Sequence, residues 1–450
     1  MANSGSPIFE SLRDSGIPDE WPIVPFEDVV FFQEGPGIRN WQYVYEGGIP
    51  FVNIRCLING RLDRGSMNRV SEEEAFGKYS HFQLDVNDFV VSSSGTLGRL
   101  ATVTPEDLPC ILNTSVIRMR PRDGRLDRDY LKFFILSDYY QTQIRSLATG
   151  SVQLNYGPSH LRQMFIVLPP LPVQQRIADV LGKLDNKIEL NRRMNRTLEK
   201  MAAALFKSWF IDFDPVHAKA ESRDPNLPAE IADLFPDGFE ESDLGPIPKG
   251  WTVAPMKDLA VVNARSIKKD YPHTRIRYVD ISSVSQGNLD QTTTYDLADA
   301  PSRAKRMVQT GDTIWSCVRP NRKAYLYIDR PADNLVVSTG FAVLSPRAVP
   351  ASYLHQCVTT QVFVDYLTAY ATGAAYPAVK VDTFKTAKMI LPSKSILEAF
   401  HDLVGPLRAR SAHNQRQNRR LACLRDTLLP KLLSGEIEVH EAEGMVEEVV

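Results

Sequence analysis

The 450-residue sequence predicts an α+β protein in which two similar mixed α/β lobes are separated by two long α-helices. Three observations support this. Residues 169–213 contain apolar positions at alternating steps of four and three, a spacing typical of a coiled-coil seam. The same pattern returns near the C-terminus. The segments that precede the two patterns also resemble each other, and a repeat this long indicates two domains rather than a solenoid.

The first long helix is predicted to start at the stiff segment Leu168–Pro172, because proline suits the first turn of a helix. If helical throughout, the segment is roughly 55 Å long. Two asparagines lie on its seam, and a buried Asn weakens a seam but specifies register. The predicted seam positions are Ile177, Leu181, Leu184, Ile188, Asn191, Asn195, Leu198 and Leu205.

The second long helix repeats this seam at an offset of about 223 positions. Both seam asparagines recur at that offset. The predicted seam positions here are Leu407, Asn414, Asn418, Leu421 and Leu428.

The lobes repeat as well. Ile49–Ile54 resembles Ile276–Ile281, and Ala148–Gly150 matches Ala371–Gly373. In the first lobe one helix is predicted from Tyr130 to Arg145. The predicted organisation is a poorly ordered lead-in at 1–20, lobe 1 at 21–168, helical spacer 1 at 169–213, an acidic Pro-rich connector at 214–250, lobe 2 at 251–391, helical spacer 2 at 392–435 and an acidic tail at 436–450.

Composition is that of a soluble globular protein. No apolar run approaches the length of a membrane span, and the N-terminus lacks signal-peptide features. The five cysteines form no close pair, which favours free thiols and a reducing cytoplasm.

The net charge of −2 argues weakly against nucleic acid. Residues 251–350, however, hold fourteen Lys and Arg against nine Asp, a net of +5. A local basic patch is what a polyanion needs.

Motifs for chemistry are missing from the sequence. There is no GxxxxGK[ST] or GxGxxG loop for a nucleotide, no HExxH or Cys/His cluster for a metal, and no GxSxG elbow. The Asn/Asp-Pro-Pro-aromatic motif of adenine-N6 methyltransferases is also missing. We therefore predict no catalytic residue, no metal site and no cofactor bound by this chain.

Features for binding are more numerous. Arg reads guanine edges bidentately, and Asn and Gln read adenine. A loop of small residues, Ser93–Gly98, is replaced in the second copy by the cationic loop Cys317–Lys323. Such divergence on a repeated framework is expected if two related sites read different targets. The alternative is that these charges only solvate a surface. The candidate DNA-binding residues are Asn53, Arg61, Arg64, Arg69, Ser93, Thr96, Arg99, Gln153, Asn155, Arg265, Lys268, Lys269, Arg303, Lys305, Arg306, Arg319, Asn321, Arg322 and Lys323.

These pieces together resemble the specificity subunit of a type I restriction–modification system. The most specific match is Leu168–Ile177 followed by Leu184–Ile188, which resembles the family's "PLPPLxEQxRI…LDxxI" entry into a conserved helix. Ile49–Ile54 and Gly95–Gly98 resemble two recurrent motifs of its lobes. The similarity covers nearly the whole chain. Copy two departs from the pattern, because Pro392–Ser395 replaces the double proline and the GTxG loop is missing.

The resemblance implies that each lobe is a target recognition domain that reads half of a split sequence in double-stranded DNA. It implies that the helices pack as an antiparallel coiled coil and act as a ruler. It also implies two modification subunits that methylate adenine N6 with S-adenosylmethionine, and two restriction subunits that use ATP and Mg²⁺. Two alternatives stay open: an enzyme acting alone, and a two-lobed coiled-coil scaffold that binds proteins rather than DNA.

Overall fold

A computed structural model describes residues 6–58, 60–150, 154–373 and 376–450 of the chain. The chain divides into two compact units. Unit 1 comprises Met1–Leu190 and Gln417–Val450, and unit 2 comprises Asn191–Arg416. Each unit therefore contains one lobe together with about half of each long helix.

The elements of unit 1 alternate short strands with short helices until the first long helix begins. In chain order they are α1 (Pro7–Arg13), β1 (Ile23–Pro25), α2 (Phe26–Val29), β2 (Val30–Glu34), β3 (Tyr43–Val44), β4 (Ile49–Val52), β5 (Leu57–Ile58), β6 (Arg61–Leu62), β7 (Asn68–Val70), α3 (Glu72–Phe76), β8 (Phe89–Ser92), β9 (Leu100–Thr102), β10 (Ile111–Leu112), β11 (Val116–Pro121), α4 (Arg128–Leu136), α5 (Asp138–Leu147), α6 (Pro158–Leu161), β12 (Phe165–Val167) and α7 (Leu171–Phe210).

Lobe 1 is built on two four-stranded sheets. One has the order β2-β11-β8-β9 and is antiparallel throughout. The other has the order β10-β4-β7-β3, in which β10 and β4 run parallel. Strands β1 and β12 form an antiparallel ribbon next to the start of α7. Val90 and Val116 face the smaller core beneath the sheets, and Phe89 and Ile117 face the core shared with α7.

One sequence prediction for lobe 1 and one for the lead-in were wrong in detail. The single helix predicted from Tyr130 to Arg145 is two helices, because Ser137 leaves helical geometry and its Oγ accepts from the Tyr140 N–H. Asp127 caps α4, and its Oδ1 accepts from the N–H of Asp129 and Tyr130 at 2.9 Å each. The lead-in is not poorly ordered from residue 7 onward, since α1 buries Leu12.

The start of α7 is attached to lobe 1 by Gln174, a residue of the motif that resembles the specificity-subunit family. Its buried amide donates to the carbonyls of Pro169 (2.8 Å) and Arg125 (3.0 Å). Its Oε1 accepts from the Asp127 N–H at 2.8 Å. All three polar positions are thus satisfied without water, which explains a fully buried Gln at a helix start.

Unit 2 repeats this plan after a folded connector. Its elements, with those that complete the chain, are α8 (Asp214–Ala220), α9 (Ala229–Ala232), β13 (Phe239–Glu240), β14 (Ile247–Pro248), β15 (Thr252–Pro255), α10 (Met256–Leu259), β16 (Ala260–Val262), β17 (Arg275–Val279), β18 (Val284–Ser285), β19 (Asn288–Leu289), β20 (Thr293–Asp296), β21 (Ala304–Met307), β22 (Thr313–Ser316), β23 (Tyr325–Tyr327), β24 (Leu335–Ser338), β25 (Phe341–Pro346), α11 (Ala351–Thr359), α12 (Gln361–Ala369), α13 (Val381–Thr386), β26 (Lys388–Leu391), α14 (Lys394–Ser434) and, in unit 1, α15 (Val439–Glu447).

The antiparallel sheets of the two lobes match, and the second sheets share three strands but differ in the fourth, since β3 pairs with β7 at one edge and β21 pairs with β24 at the other. The antiparallel sheet β16-β25-β22-β23 corresponds to β2-β11-β8-β9, and the ribbon β15–β26 corresponds to β1–β12. The second sheet, β20-β17-β24-β21, keeps the parallel pair as β17 and β24. The internal duplication predicted from the sequence is therefore a duplication of fold.

The acidic connector and the acidic tail both carry structure. In the connector, Val216, Phe235 and Ile247 are buried in the hydrophobic core of unit 2. In the tail, α15 buries Ala442 and Val446 against the core of unit 1.

The two long helices pack against each other inside each unit. In unit 2, Asn195 contacts Asn414 while Phe206, further along α7, contacts Phe400, so the helices run antiparallel. The Asn414 amide donates to Asn195 Oδ1 at 2.8 Å, and both side chains are buried. In unit 1, Arg425 of α14 donates to Asp185 of α7 at 2.8 Å.

Most of the predicted seam positions are buried. Leu198, Leu205, Leu407 and Asn418 are half-buried. The buried ones are Ile177, Leu181, Leu184, Ile188, Asn191, Asn195, Asn414, Leu421 and Leu428. Among the described residues, none of the helices combines the length and apolar character needed to cross a membrane.

Candidate nucleic-acid interface

Two of the cationic clusters predicted in lobe 2 are neighbours in the fold. The segment that follows β16 runs beside β21, and the Ile267 N–H donates to the Lys305 carbonyl at 2.8 Å. The Met307 N–H donates to the Arg265 carbonyl at 3.2 Å. These bonds bring Arg265–Lys269 alongside Arg303–Arg306, which lie more than thirty positions apart in the sequence.

The third cluster joins them at the turn that follows β24. The Thr339 N–H donates to the Arg303 carbonyl, and the Cys317 N–H donates to the Gly340 carbonyl, both at 2.8 Å. The loop Cys317–Lys323 therefore begins where the second cluster lies. We call the combined set the lobe 2 basic face; it comprises Arg265, Lys268, Lys269, Arg303, Lys305, Arg306, Arg319, Asn321, Arg322 and Lys323.

Most of the lobe 2 basic face is open to solvent. Arg306, Arg319 and Lys323 are half-buried, and the other members are exposed. Arg306 is the most constrained: its Nε is buried without a hydrogen-bond partner, and burial lowers the pKa of its guanidinium. Burial also raises the pKa of the neighbouring Cys317 thiol to about 11, so this thiol stays neutral near pH 7.

The loop Cys317–Lys323 has an unusual backbone. Arg319 and Lys323 both adopt left-handed conformations, with φ of 49° and 53°, on either side of a 3₁₀ turn at Pro320–Arg322. Non-glycine residues reach this region at an energetic cost, and such residues cluster at functional sites. The Arg319 N–H donates to the Pro377 carbonyl at 2.7 Å, which ties the loop to the segment before α13.

Aromatic rings extend this part of lobe 2. The Arg319 guanidinium lies 4.5 Å from the ring centre of Tyr376, and Tyr376 remains 64% exposed. Tyr370 is 61% exposed. Sequence reasoning missed both tyrosines; the only signal near them was the repeated tripeptide Ala371–Gly373.

Three of the four predicted cations of lobe 1 are engaged in contacts within unit 1, and the fourth, Arg99, is exposed. Arg61 forms an ion pair with Glu189 of α7 at 2.9 Å. Arg64 donates to the carbonyls of Glu106 and Leu108. Arg69 donates to the Gly48 carbonyl at 2.9 Å and the Gly47 carbonyl at 3.3 Å.

The remaining candidates of lobe 1 differ in whether their side chains reach the surface. Asn53 caps a 3₁₀ turn by accepting from the Arg55 N–H at 3.0 Å. Ser93 is 2% exposed, so its side chain does not reach the surface. Thr96, Arg99 and Asn155 are exposed. Gln153 lies outside the described residues.

The loops that follow the third strand of each antiparallel sheet have the same framework. In lobe 1, Asn155 forms β-bridges with Ser94 and Thr149. In lobe 2, Ala378 forms them with Val318 and Thr372. The repeat therefore preserves the crossing of two loops while the side chains change from Ser and Thr to Arg and Lys.

Nothing in the described ranges suggests a metal centre, since no group of three or more His, Cys, Asp or Glu side chains comes together there. All five cysteines are free thiols, as predicted.

Comparison with known proteins shows which family the chain resembles. Residues 18–200 match the family model described as "Type I restriction modification DNA specificity domain". The chain is 26% identical over 444 residues to the type I restriction enzyme MjaIX specificity subunit of Methanocaldococcus jannaschii, which covers 96% of this chain and 97% of that protein. It is 24% identical to the HindI specificity subunit of Haemophilus influenzae, covering 89% and 96%.

The fold is similar to the crystal structure of a type I restriction–modification S subunit from M. genitalium, with a TM-score of 0.50 and 16% identity over 92% of this chain and 97% of that one. The resemblance noted in the sequence is thus confirmed: over nearly its whole length the chain is similar to type I restriction–modification specificity subunits.

Proposed function

We propose that this chain is the DNA reader of a type I complex, in which lobe 1 and lobe 2 each read one half of a bipartite target. The observation that carries the proposal is the lobe 2 basic face, where three separate cation clusters meet around Thr339–Gly340. Lys and Arg neutralise phosphates, and Arg in the major groove discriminates guanine. The duplicated framework with divergent loops supports two readers with different half-sites.

Within the proposal, α7 and α14 set the distance between the half-sites and dock two modification subunits, and two restriction subunits complete the complex. Methylation with S-adenosylmethionine and ATP- and Mg²⁺-dependent translocation and cleavage belong to those partners. A non-catalytic role for this chain is supported by its similarity to specificity subunits, which are generally not enzymes.

The test is binding of the chain, assembled with its modification subunits, to a random DNA library. Selected sequences should share two short conserved blocks separated by an unconserved spacer. The affinity for the selected DNA should fall steeply with salt, because phosphate contacts release counterions. A scaffold that binds only proteins would select no sequence and would show no such salt dependence.

A further inference from the structure

Three of the four predicted cations of lobe 1 already contact partners within unit 1, which leaves other side chains as the candidates by which this lobe could hold DNA. The equivalent segment follows β2 and leads to β4, as the segment after β16 leads to β17. In lobe 1 it carries the most exposed aromatic side chains of that lobe among the described residues. Trp41 is 81% exposed and Tyr45 is 96% exposed.

The two segments have the same inward-facing residues. Ile38 and Tyr43 of lobe 1 pack against the core that contains Phe51, and the Tyr43 and Phe51 rings lie 5.1 Å apart. In lobe 2, Ile267 and Tyr271 pack against the corresponding core. Between the Ile and the Tyr, lobe 1 presents Arg-Asn-Trp-Gln where lobe 2 presents Lys-Lys-Asp. Trp41 thus lies in a stretch of lobe 1 whose counterpart in lobe 2 contains Lys268 and Lys269 and no aromatic residue.

Hydrogen bonds fix the backbone that presents Trp41. It lies in a 3₁₀ turn, Asn40–Gln42, closed by the Arg39 N–H donating to Gln42 Oε1 at 3.0 Å. The buried Gln42 amide donates to Glu74 Oε1 at 2.7 Å and Tyr79 Oη at 2.9 Å. Gln42 thus fixes the turn from its buried side, and the indole of Trp41 remains exposed to solvent.

The turn that presents Tyr45 is held in a similar way. Tyr45 follows the edge strand β3, and the carbonyls of Gly47 and Gly48 in the next turn accept from the Arg69 guanidinium. Gly48 has φ of +67°, and a Cβ there would lie 2.4 Å from the Val70 carbonyl oxygen, so the tight turn requires glycine. Both turns thus present a large ring to solvent on a backbone that is fixed by hydrogen bonds.

We infer that Trp41 and Tyr45 are the DNA-stacking residues of lobe 1, which hold its half-site by contact of their rings with bases or sugars. This inference rests on the proposed function and assigns the residues by which lobe 1 performs it. In duplex DNA the base faces are already stacked, so a side chain reaches them by inserting between base steps, which kinks the duplex. Apolar side chains that insert between base steps also select sequence through deformability.

Protein is the other class of partner that exposed Trp and Tyr commonly contact. The internal duplication argues against it here. Two identical modification subunits would dock on features that both repeats share, whereas the two half-sites of the DNA differ. Lobe 2 has no Trp or Tyr at the counterparts of Trp41 and Tyr45, where it presents Lys-Lys-Asp before Tyr271 and Pro-His after it. The two rings are therefore a feature in which the repeats differ, as the half-sites do.

The test uses the full chain assembled with its modification subunits and DNA carrying the selected target. Trp41→Ala and Tyr45→Ala should each weaken binding roughly 5- to 100-fold, the range expected from loss of one base-stacking contact. Trp41→Phe should retain most of the affinity. Phe76→Ala is the matched control, because Phe76 is 50% exposed on α3 of the same lobe and should leave affinity unchanged.

A second readout is acrylamide quenching of tryptophan fluorescence. The quenching that disappears in Trp41→Phe is that of Trp41, and target DNA should suppress it in the unsubstituted protein. Unchanged affinity in the Trp41→Ala/Tyr45→Ala double variant would overturn the inference, as would loss of the modification subunits from that variant on gel filtration. If the unsubstituted complex binds scrambled DNA as tightly as its target, the proposed function itself fails.

Discussion

At the scale of single residues, the lobe 2 basic face yields a prediction about the division of the target. Arg319→Ala or Arg322→Ala should weaken binding by about 1–3 kcal/mol if the lost contact is to a base. Specificity should relax in only one half-site, because both residues lie in lobe 2. The measurement is the selected or methylated consensus of each variant.

Arg275→Ala provides the matched control for this prediction. Arg275 is an exposed cation of the same lobe, paired with an exposed Asp296, and it lies outside the lobe 2 basic face. Its loss should change the salt dependence slightly and leave both half-sites as they were. Equal relaxation of both halves in the Arg319→Ala or Arg322→Ala variants would contradict the assignment of this loop to one half-site.

Residue types showed where cations cluster in the sequence, but not which of these cations are free of contacts within the protein and so able to contact DNA. Arg61 and Arg69 looked equivalent to Arg303 in the sequence. Their partners are Glu189, far along the chain, and the backbone carbonyls of a nearby turn. Such pairings depend on tertiary contacts, which is why candidates in lobe 2 came together and those in lobe 1 did not. Trp41 was missed because a lone Trp in a sequence is usually expected in a core.

At the scale of elements, an ion cluster joins lobe 1 to both long helices. Asp185 of α7 accepts from Lys132 of α4 and from Arg425 of α14. Burial would raise the pKa of Asp185, but the two cations outweigh it and hold that pKa below its usual range. At the 223-residue offset the second repeat places His355 and Arg408, so the salt bridge of the first repeat is not repeated.

Asp185→Asn should therefore lower the stability of unit 1 by about 1–3 kcal/mol near pH 7, less than for a fully buried pair because the three side chains are a fifth to a quarter exposed. A depressed carboxyl pKa stabilises above the unfolded value of about 4 and loses its effect as pH falls through the folded value. The difference in unfolding free energy between the variant and the unsubstituted protein should accordingly shrink below about pH 4.

Urea unfolding from pH 7 to pH 3 measures this difference. Asp179→Asn is the control, because Asp179 pairs with Lys183 on the exposed side of the same helix and should matter by less than about 1 kcal/mol. A deficit that stayed constant down to pH 3 would show that Asp185 contributes by packing rather than by charge.

The asparagine pair gives a second prediction at this scale. Asn195→Leu leaves the buried Asn414 amide without its partner and should cost about 1–3 kcal/mol. Replacing both by Leu should recover most of that loss, since two apolar side chains then face each other. Thermal unfolding of the two single variants and the double variant measures the coupling. If the stability loss of the double variant equals the sum of the two single losses, the 2.8 Å hydrogen bond adds no coupling energy between the two asparagines.

At the scale of the whole molecule, the periodicity of the sequence was enough to predict the duplication, the two helices and the mixed lobes. Apolar spacing survives in the sequence because burial requires it, and α7 and α14 span 40 and 41 residues. The compact units were not predictable in the same way. Unit 1 combines Met1–Leu190 with Gln417–Val450, and unit 2 is the stretch between them. Only contacts between segments distant in the sequence define such a division.

The unit boundary allows the ruler to be tested without disturbing either lobe. One heptad inserted after Leu190 in α7 and one after Arg416 in α14 keeps the heptad phase of both helices. Every contact inside a unit is retained, including the Asn195–Asn414 pair and the Asp185–Arg425 bond. Each helix grows by about 10 Å at 1.5 Å per residue.

Because DNA rises about 3.4 Å per base pair, the spacer between the half-sites should lengthen by roughly three base pairs. The half-site sequences should stay the same, since neither lobe is altered. Lengthening α7 alone should mispair the helices and lower stability instead. The consensus methylated by the double-insertion complex is the measurement. An unchanged spacer in a complex that still assembles would mean that the helices dock partner subunits without setting the distance between half-sites.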